Sequence, residues 1–398
     1  NHMPKEKNGL LRGIRVLDFT AFVAGPYCTR LMADLGADVV KIEPPHGDLL
    51  RNVAPIRGGH STYFGQLNLG KRSLSIDIKT RQGLDTVKLL TQKADVIVEN
   101  FRPGIVKKFG LDYQTLAKEM TNLIYCSISG YGQTGPASQE PAFAPIIHAS
   151  SGFDMAQAKY QNGTAAPARG RPVAADVLAA VHSLSAINAA LFRRERTGEG
   201  EYIDIALMDC MQSLLPYEFQ QSYVSNSEVK VPIYAPIKTL DGYILIAAVT
   251  QKNFEGLAKA IGQETWLRDS RFAESRQRIS NLNIIYDVVG TWAAQLTSAQ
   301  CDQILRPSGC PFGVYRTIGE ALEDAQVKAR EGVVEGVDAA GKFKVPNTPL
   351  RLTRATSTIG TRVPYLGQHN TEVLTDWLKF DEDFIQTLQT EGSLHTSR

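Results

Sequence analysis

The residues Ile14-Arg15-Val16-Leu17-Asp18-Phe19 and Asp38-Val39-Val40-Lys41-Ile42-Glu43 are the two stretches that decide the fold. Short runs rich in Val, Ile and Leu predict strands. Between them, Ala24-Gly25-Pro26 opens a helix that ends at Leu35-Gly36, where glycine is a common helix stop. A strand, a helix and a second strand make a βαβ unit, and its crossover connection requires the two strands to be parallel.

The same alternation of strands and helices continues through the first 210 residues. It predicts strands at 74–78, 95–99 and 123–128 and a helix from Gln82 to Lys93. Such alternation is typical of an open, doubly wound α/β domain with a parallel sheet. Because ligands bind at the carboxyl ends of the strands in such sheets, we expect a site formed by residues 20–26, 43–48, 100–104 and 129–135.

The pattern changes after residue 212, where a polar helix and a linker are predicted through Lys230. A second, smaller unit begins near Val231. In it, Asp241-Gly242 predicts a turn between two short strands, the second at 243–248. Helices are predicted at 253–261, 282–294 and 298–305, and residues 309–315 form a loop that leads into a further strand.

The composition is that of an ordinary globular protein, and 398 residues are enough for two domains. A net charge of +2 gives no reason to expect nucleic acid or a membrane surface as partner. Charged residues interrupt every apolar run within 18 residues, which predicts no membrane span. Five scattered cysteines indicate reduced thiols and a cytoplasmic location. The histidines are equally dispersed, so we expect no metal site.

The segment Gly130-Tyr131-Gly132-Gln133-Thr134-Gly135 matches the dinucleotide pattern G-x-G-x-x-G and follows a predicted strand. That mechanism also needs a helix that opens at the third glycine, so that its amides meet the pyrophosphate. Pro136 and Pro141 follow instead, and we interpret the segment as a flexible loop near a ligand rather than a nicotinamide or flavin site. The sequence contains no P-loop and no G-x-S-x-G motif.

Six basic residues are spread over loops and helix starts of the first domain. Each alone is typical of a solvated surface. Together they are candidates to meet phosphate groups, since several follow predicted strand ends. These residues are Lys71, Arg72, Lys79, Arg102, Lys107 and Lys108.

Asp176 stands at the start of a predicted helix. The apolar residues Val177, Leu178, Val181, Leu184, Ile187, Ala190 and Leu191 recur at steps of three and four, and we expect this stripe to pack against a core. A carboxylate at this position is stabilised by the unpaired amides and the helix dipole. The simpler interpretation of Asp176 is therefore a capping residue. The alternative is a nucleophile whose carboxylate oxygen attacks an activated acyl group.

Several segments, in this order along the chain, resemble the signatures of the class III CoA-transferases, the family of formyl-CoA transferase and of the carnitine and bile-acid CoA-transferases. The resemblance covers nearly the whole chain. The segments are Gly13–Phe19, Leu35–Glu43, Asn68–Ser73, Ala94–Gly104, Arg196–Gly200 and Pro364–Asn370.

The resemblance implies a Rossmann-like domain built from both chain ends, with a smaller α+β domain between them. The implied boundaries are a first part at 8–215, a linker at 216–232, a small domain at 233–325 and a return segment at 326–398. It also implies a homodimer whose subunits thread through each other as linked rings. CoA is implied as part of the substrate, an acyl-CoA acting with a small carboxylic acid, and no cofactor is bound permanently.

The resemblance assigns Asp176 as the catalytic aspartate. In the implied mechanism its carboxylate attacks an acyl-CoA thioester to give a mixed anhydride. The CoA thiolate then forms an aspartyl-CoA thioester, from which the acceptor acid takes CoA. We expect the helix dipole to help keep this nucleophile ionised.

The resemblance also implies contacts to CoA. These fall at Val23, Ala24, Ile76, Asp77, Ile78, Lys79, Asn100, Phe101, Arg102, Lys108, Pro141, Ala142, Phe143 and Ala144. Formyl-CoA transferase has glutamine, arginine and tyrosine where this chain has Val23, Pro44 and Phe143, and its glycine-rich loop has no counterpart between Tyr223 and Asp241. These differences remove polar groups from the acyl pocket and favour an acid that is larger or more apolar than formate or oxalate. Succinyl-CoA is a plausible donor within the family.

Two alternatives remain open. An α-methylacyl-CoA racemase shares the fold and uses a histidine and an aspartate on opposite faces of the substrate. Its histidine falls at Phe143 here, and His148 lies five residues later. The other alternative is a CoA-binding protein without catalysis, in which Asp176 is only a cap.

Overall fold

The computed structural model describes residues 8–161, 166–224 and 233–397. The chain forms two compact units. Residues up to 216 and those from 328 onward make the first, and residues 217–327 make the second.

The strands of the described residues are short, and most lie in the first unit. They are β1 (Arg15–Asp18), β2 (Asp38–Glu43), β3 (Ile56–Arg57), β4 (His60–Ser61), β5 (Arg72–Ser75), β6 (Val96–Glu99), β7 (Ile124–Ser129), β8 (Glu201–Ala206), β9 (Ile237–Lys238), β10 (Tyr243–Ile246), β11 (Phe312–Val314), β12 (Val333–Asp338) and β13 (Gly341–Pro346).

The helices of the described residues follow the strands in alternation through the first half of the chain. They are α1 (Ala24–Asp34), α2 (Thr62–Asn68), α3 (Arg81–Thr91), α4 (Tyr113–Leu116), α5 (Ala144–Ser150), α6 (Phe153–Lys159), α7 (Ala174–Thr197), α8 (Leu207–Ser213), α9 (Pro216–Tyr223), α10 (Gln251–Ala260), α11 (Ser275–Ser280), α12 (Leu282–Ala293), α13 (Ser298–Leu305), α14 (Ile318–Leu322), α15 (Ala325–Ala329), α16 (Asn370–Leu378) and α17 (Glu382–Thr390).

The first unit is built on a six-stranded parallel sheet with the strand order β5-β2-β1-β6-β7-β8. The predicted α/β class and parallel sheet are therefore confirmed. The strand order reverses between β1 and β6. From β1 the chain adds β2 and β5 on one side of the sheet, and it then adds β6, β7 and β8 on the other side. A crevice opens at the carboxyl ends of the strands at such a switch point.

Side chains of successive strand residues enter two cores on opposite faces of the sheet, as the pleat requires. Val16 belongs to one core and Leu17 to the other, and Val96 and Ile97 divide in the same way. The first core includes residues of α1, α7 and α8, and the second includes residues of α3, α16 and α17. The sheet is therefore covered by helices on both faces.

The face of helix α7 that is buried near its start is not the predicted one. Ala175, Ala179 and Ala180 face the core, whereas Val177 and Val181 are 40% and 46% exposed. Small side chains on the inner face allow α7 to pack closely on α1. The expectation that Val177 and Val181 lie in the core was therefore wrong.

Among the described residues, one helix is long and apolar enough by composition to cross a membrane. It is α7, and 44% of its most apolar window is buried. Core helices also meet these criteria, and α7 contributes Ala179, Leu184 and Ile187 to the core of the first unit.

The C-terminal segment returns to the first unit. Trp377 on α16 donates a hydrogen bond from Nε1 to Asp38 Oδ2 at 2.9 Å, and His369 Nδ1 accepts one from the Ser73 amide at 3.1 Å. This return also ends β5 earlier than predicted. The Asp77 amide donates to the Ser393 carbonyl, and Ile76 forms an isolated bridge with Leu394. The predicted strand at 74–78 is therefore replaced by one at 72–75.

The second unit contains an antiparallel sheet with the order β11-β10-β9. The predicted Asp241-Gly242 turn lies between β9 and β10. Phe254, Trp266 and Phe272 pack together in its core, with ring centroids 5.4 to 6.0 Å apart. The first part of the predicted linker at 216–232 is helix α9, while residues 225–232 lie outside the described residues.

Candidate active site

A cavity of about 1220 Å³ opens in the first unit at the carboxyl ends of β1, β2, β6 and β7. Segments 19–24, 42–44, 100–103 and 128–130 contribute to its wall, as does the segment before α7. Three of the strand-end loops named from the sequence, and the start of the fourth, therefore meet at one place. The reversal of strand order between β1 and β6 creates the space.

Most of the predicted site residues lie along this cavity. Those on its wall are Val23, Ala24, Asn100, Phe101, Arg102, Pro141, Ala142, Phe143, Ala144 and Asp176.

The remaining predicted contacts do not line the cavity. Ile76 is buried in the core, where the returning C-terminal segment covers it, and Asp77 accepts a hydrogen bond from the Lys79 amide. Ile78 packs at the edge of the same core. Lys79 and Lys108 are exposed. A role for these five residues in binding CoA stays a prediction.

Asp176 lies in the first turn of α7, half-buried on the cavity wall. The helix begins after Val173, which caps it with no side-chain hydrogen bond. Instead, His148 Nε2 on α5 accepts a hydrogen bond from the Ala175 amide at 3.1 Å. A histidine, and not a carboxylate, therefore satisfies this amide of the first turn. Within the described residues Asp176 has no hydrogen-bond partner, which does not fit the capping interpretation.

The pKa of Asp176 is raised to about 6 by burial. We expected the helix dipole to favour the ionised form, but removal from water has the larger effect. At neutral pH the carboxylate is still mainly ionised. It is also less stabilised than a solvated carboxylate, which raises its reactivity as a nucleophile.

The loop from Thr20 to Val23 is fixed by polar side chains beneath it. The Asn100 amide pairs with both backbone groups of Ala21, and Asp48 Oδ1 accepts a hydrogen bond from the Phe22 amide at 3.2 Å. Lys41 Nζ donates to the Thr20 carbonyl at 2.7 Å. Phe22 has a φ of 64°, a strained conformation for this residue type that these bonds hold in place.

The sequence suggested that Lys71 and Arg72 are surface residues that could bind phosphates. The structure shows instead that both side chains are paired with carboxylates. Lys71 is buried and its Nζ lies 3.0 Å from Asp18 Oδ2. Burial alone would raise the pKa of Asp18, but Lys71, Lys41 and two threonine hydroxyls lower it to about 2. Arg72 is bound to Asp38 and to carboxylates of α16. Of the six basic residues, Arg102 is the one that reaches the cavity wall.

The glycine-rich segment 130–135 is not followed directly by a helix. Gly132 and Gly135 have positive φ angles, and the next helix, α5, begins at Ala144. Gly130 lines the cavity, which agrees with a loop near a ligand.

Other cavity residues were not assigned a role from the sequence. Tyr63 on α2 is the most informative of them. Burial raises its pKa, the Asp176 charge raises it further and Arg171 lowers it. Tyr63 therefore lies near the carboxylate, although it is 113 positions away in sequence.

Phe22 contacts Phe143 edge to face with ring centroids 5.4 Å apart. Arg171 precedes Asp176 in the same segment and also lines the cavity, as does His46. No local pattern distinguishes these residues, because the tertiary fold brings them together.

Comparison with known proteins identifies the family of the chain. The family described as CoA-transferase family III matches residues 11–370. The chain is 32% identical to the succinyl-CoA:glutarate CoA-transferase of Mus musculus, over 96% of this chain and 89% of that protein. It is 33% identical to the succinyl-CoA:mesaconate CoA-transferase of Haloarcula hispanica, over 92% of this chain and 96% of that protein.

Solved structures give the same result. A CAIB/BAIF family protein from Brucella suis superposes with a TM-score of 0.80 at 30% identity, over 93% of this chain and all of that chain. Rv3272 from M. tuberculosis gives 0.81 at 28% identity, over 92% and 99%. These matches define an enzyme of acyl-CoA chemistry that is built on a Rossmann-like parallel sheet. The chain belongs to CoA-transferase family III and is a class III CoA-transferase.

Proposed function

We propose that this enzyme transfers CoA from an acyl-CoA donor to a short dicarboxylic acid, with Asp176 as the covalent nucleophile. The observation that carries the proposal is the Asp176 carboxylate itself. It lies on the wall of a large cavity, has no hydrogen-bond partner among the described residues, and has a pKa of about 6 because of burial. A dicarboxylic acid is proposed because the relatives reported above are named for succinyl-CoA with glutarate or mesaconate.

The proposed reaction has four steps. An Asp176 oxygen attacks the thioester carbonyl carbon, the carbon–sulfur bond breaks, and CoA leaves as the thiolate. The thiolate attacks the aspartyl carbonyl of the mixed anhydride, which releases the donor acid and leaves an aspartyl-CoA thioester. The acceptor carboxylate attacks this thioester and expels the thiolate. The thiolate then attacks the acceptor carbonyl, which regenerates Asp176 and releases the new acyl-CoA. No proton is gained or lost.

The cavity offers different surroundings to the two ends of CoA. Asn100, Phe101 and Arg102 lie at the end of β6, and Arg102 is exposed, which suits a phosphate group at the mouth. Val23, Phe22 and Phe143 give an apolar wall, which suits the pantetheine arm and the acyl chain. The cavity volume of about 1220 Å³ exceeds what a drug-sized ligand needs.

The racemase alternative needs a histidine that can take a proton from the substrate. His148 is buried and its Nε2 lone pair accepts the Ala175 amide, while burial lowers its pKa. It does not line the cavity. Phe143 is the cavity residue at the position where the racemase histidine would fall. These contacts favour transferase chemistry.

We also propose that the enzyme is a homodimer. Helix α7 exposes Val177, Val181 and Phe192 within the described residues. Covering such residues in a second copy would stabilise the assembly. Light scattering during gel filtration should give about twice the chain mass of 43.7 kDa.

The experiment that tests the mechanism is trapping of the aspartyl intermediate. Protein is mixed with succinyl-CoA and hydroxylamine, digested, and analysed by mass spectrometry. We expect a hydroxamate on Asp176. The Asp176→Asn variant should show no label and at least 1,000-fold lower turnover, yet bind CoA with unchanged affinity. Glu195→Gln, at an exposed acidic residue of the same helix, is the matched control and should behave like wild type. Turnover by Asp176→Asn at the wild-type rate would contradict the mechanism.

A further inference from the structure

The cavity contains a charged side chain that the proposed reaction does not use. Arg171 lines the cavity and lies five positions before Asp176. Its side chain is exposed, and none of the carboxylates in residues 8–161, 166–224 and 233–397 pairs with it. This contrasts with Arg51, whose guanidinium is bound by Glu43, and with Arg72, which three carboxylates hold.

Arg171 and Asp176 both lie close to a third side chain of the cavity, Tyr63. The Tyr63 phenol feels both the Asp176 carboxylate and the Arg171 guanidinium, with opposite effects on its pKa. His46 and Arg102 are the other basic side chains among the described cavity residues, and neither is among the groups that shift Tyr63. Arg171 and Asp176 therefore line the same cavity and both lie close to the Tyr63 phenol.

The surface near these two charges is apolar. Val23, Leu50, Val53 and Val173 line the cavity and pack in one cluster with Tyr63. An acyl chain bonded to Asp176 can lie on this surface, where its methylene groups are removed from water. A monocarboxylic chain would leave the guanidinium beside it without a partner, whereas a dicarboxylic chain carries a second carboxylate to that place.

We propose that Arg171 binds the free, distal carboxylate of a dicarboxylic acyl group while the other carboxyl group is bonded to Asp176. This inference rests on the proposed function and names the residue that selects its substrates. The planar guanidinium can accept a carboxylate in a two-pronged hydrogen-bonded pair, which sets direction as well as charge. Arg171 thus favours dicarboxylic over monocarboxylic acids of the same length.

The test compares two acyl-CoA probes that differ at the far end of the chain. Succinyl-CoA ends in a carboxylate and butanoyl-CoA in a methyl group, with the same number of carbons. The rate of hydroxamate formation on Asp176 isolates the first half-reaction, so that one acyl group is present at a time. The proteins are wild type, Arg171→Gln, Arg171→Lys and Arg169→Gln. Arg169 is an exposed arginine of the same segment that does not line the cavity.

We expect Arg171→Gln to lower kcat/KM for succinyl-CoA by about 10- to 100-fold, the range for a lost charge-assisted hydrogen bond. Its rate with butanoyl-CoA should stay within about twofold of wild type. Arg171→Lys should recover part of the preference for succinyl-CoA, because lysine keeps the positive charge but cannot form the two-pronged hydrogen-bonded pair. Arg169→Gln should match wild type with both probes.

Three results would overturn the assignment of Arg171 while leaving the proposed function intact. One is an equal loss with both probes, and another is a rate with succinyl-CoA that Arg171→Gln leaves at the wild-type value. The third is weaker binding of free CoA to this variant in calorimetry, which would place Arg171 on the CoA phosphates. Absence of any label on Asp176 in the wild-type protein would instead contradict the proposed function, and the Arg171 assignment with it.

Discussion

His148 Nε2 accepts a hydrogen bond from the Ala175 amide at 3.1 Å, and this contact joins α5 to the first turn of α7. An amide in the first turn of a helix lacks a partner within the helix. An acidic residue at the third helical position commonly turns back towards such groups. His148 takes the Ala175 amide, and the neighbouring Asp176 carboxylate lines the cavity.

We predict that His148→Leu lowers turnover by redirecting Asp176 rather than by removing a proton acceptor. The freed amide should attract the carboxylate, which lowers its pKa and its reactivity. We expect a loss of about tenfold in kcat and a destabilisation of about 1–2 kcal/mol. His182→Leu, at an exposed histidine of α7, should change neither. Equal kcat in both variants, measured with succinyl-CoA, would argue against this positioning role.

The pH dependence of the reaction should report the ionisation of Asp176. In the proposed mechanism the carboxylate is the attacking form, and burial raises its pKa to about 6. Activity should therefore be constant above pH 7 and fall below pH 6, with roughly a tenth of the carboxylate ionised at pH 5. The measurement is single-turnover hydroxamate formation at saturating acyl-CoA from pH 5 to 8. Saturation matters because the CoA phosphate monoester also titrates near pH 6. A profile that stays flat to pH 5 would contradict this assignment.

We predict that the Asn100 side chain holds the cavity loop at Ala21 in place and does not bind CoA directly. Its Oδ1 accepts from the Ala21 amide at 2.9 Å and its Nδ2 donates to the Ala21 carbonyl at 2.8 Å. Asn100→Ala leaves both backbone groups unpaired, and we expect a cost of about 1–3 kcal/mol in stability and weaker CoA binding. Thermal unfolding and calorimetry measure the two effects. The exposed Asn122 supplies the control, since Asn122→Ala should leave both unchanged. A variant at position 100 that keeps wild-type stability would disprove the positioning role.

The sheet and the location of the cavity followed from local patterns in the sequence. β2 was predicted with the residues it has, because an apolar run closed by Pro44-Pro45 leaves little choice of boundary. The strand-end rule then placed residues 20–24 and 100–103 on one cavity. Family resemblance, not periodicity, pointed to Asp176 as the nucleophile.

What the sequence could not show depends on contacts between distant residues. The charge of Lys71 suggested a surface position, but Asp18, 53 positions away, makes its burial possible. Helices α16 and α17 and the hairpin of β12 and β13 were not predicted, and the return of the C-terminal segment displaced the end of β5. The His148–Ala175 bond spans 27 positions, so the state of Asp176 could not be read from its own helix.

Glu99 provides a final prediction, on stability. It ends β6 next to Asn100 and is almost fully buried, with hydrogen bonds from the Phe101 amide and Ser127. Within the described residues no basic side chain pairs with it, and burial raises its pKa to about 7 from an ordinary value of 4.5. Between these two pH values the folded protein binds more protons than the unfolded chain, so the free energy of unfolding falls as pH rises through this window. The cost reaches about 3 kcal/mol above pH 7.

Glu99→Gln removes this charge and keeps a hydrogen-bond acceptor of the same shape. We therefore expect the variant to unfold at a temperature a few degrees above that of wild type at pH 8, and at about the same temperature at pH 4.5, where the wild-type carboxyl group is already protonated in the folded state. Scanning calorimetry at the two pH values measures the difference. Glu195→Gln, where the side chain is exposed, should show no change with pH. A gain of equal size at both pH values would mean that packing rather than charge is responsible, and a loss at pH 8 would show that the ionised Glu99 stabilises the fold.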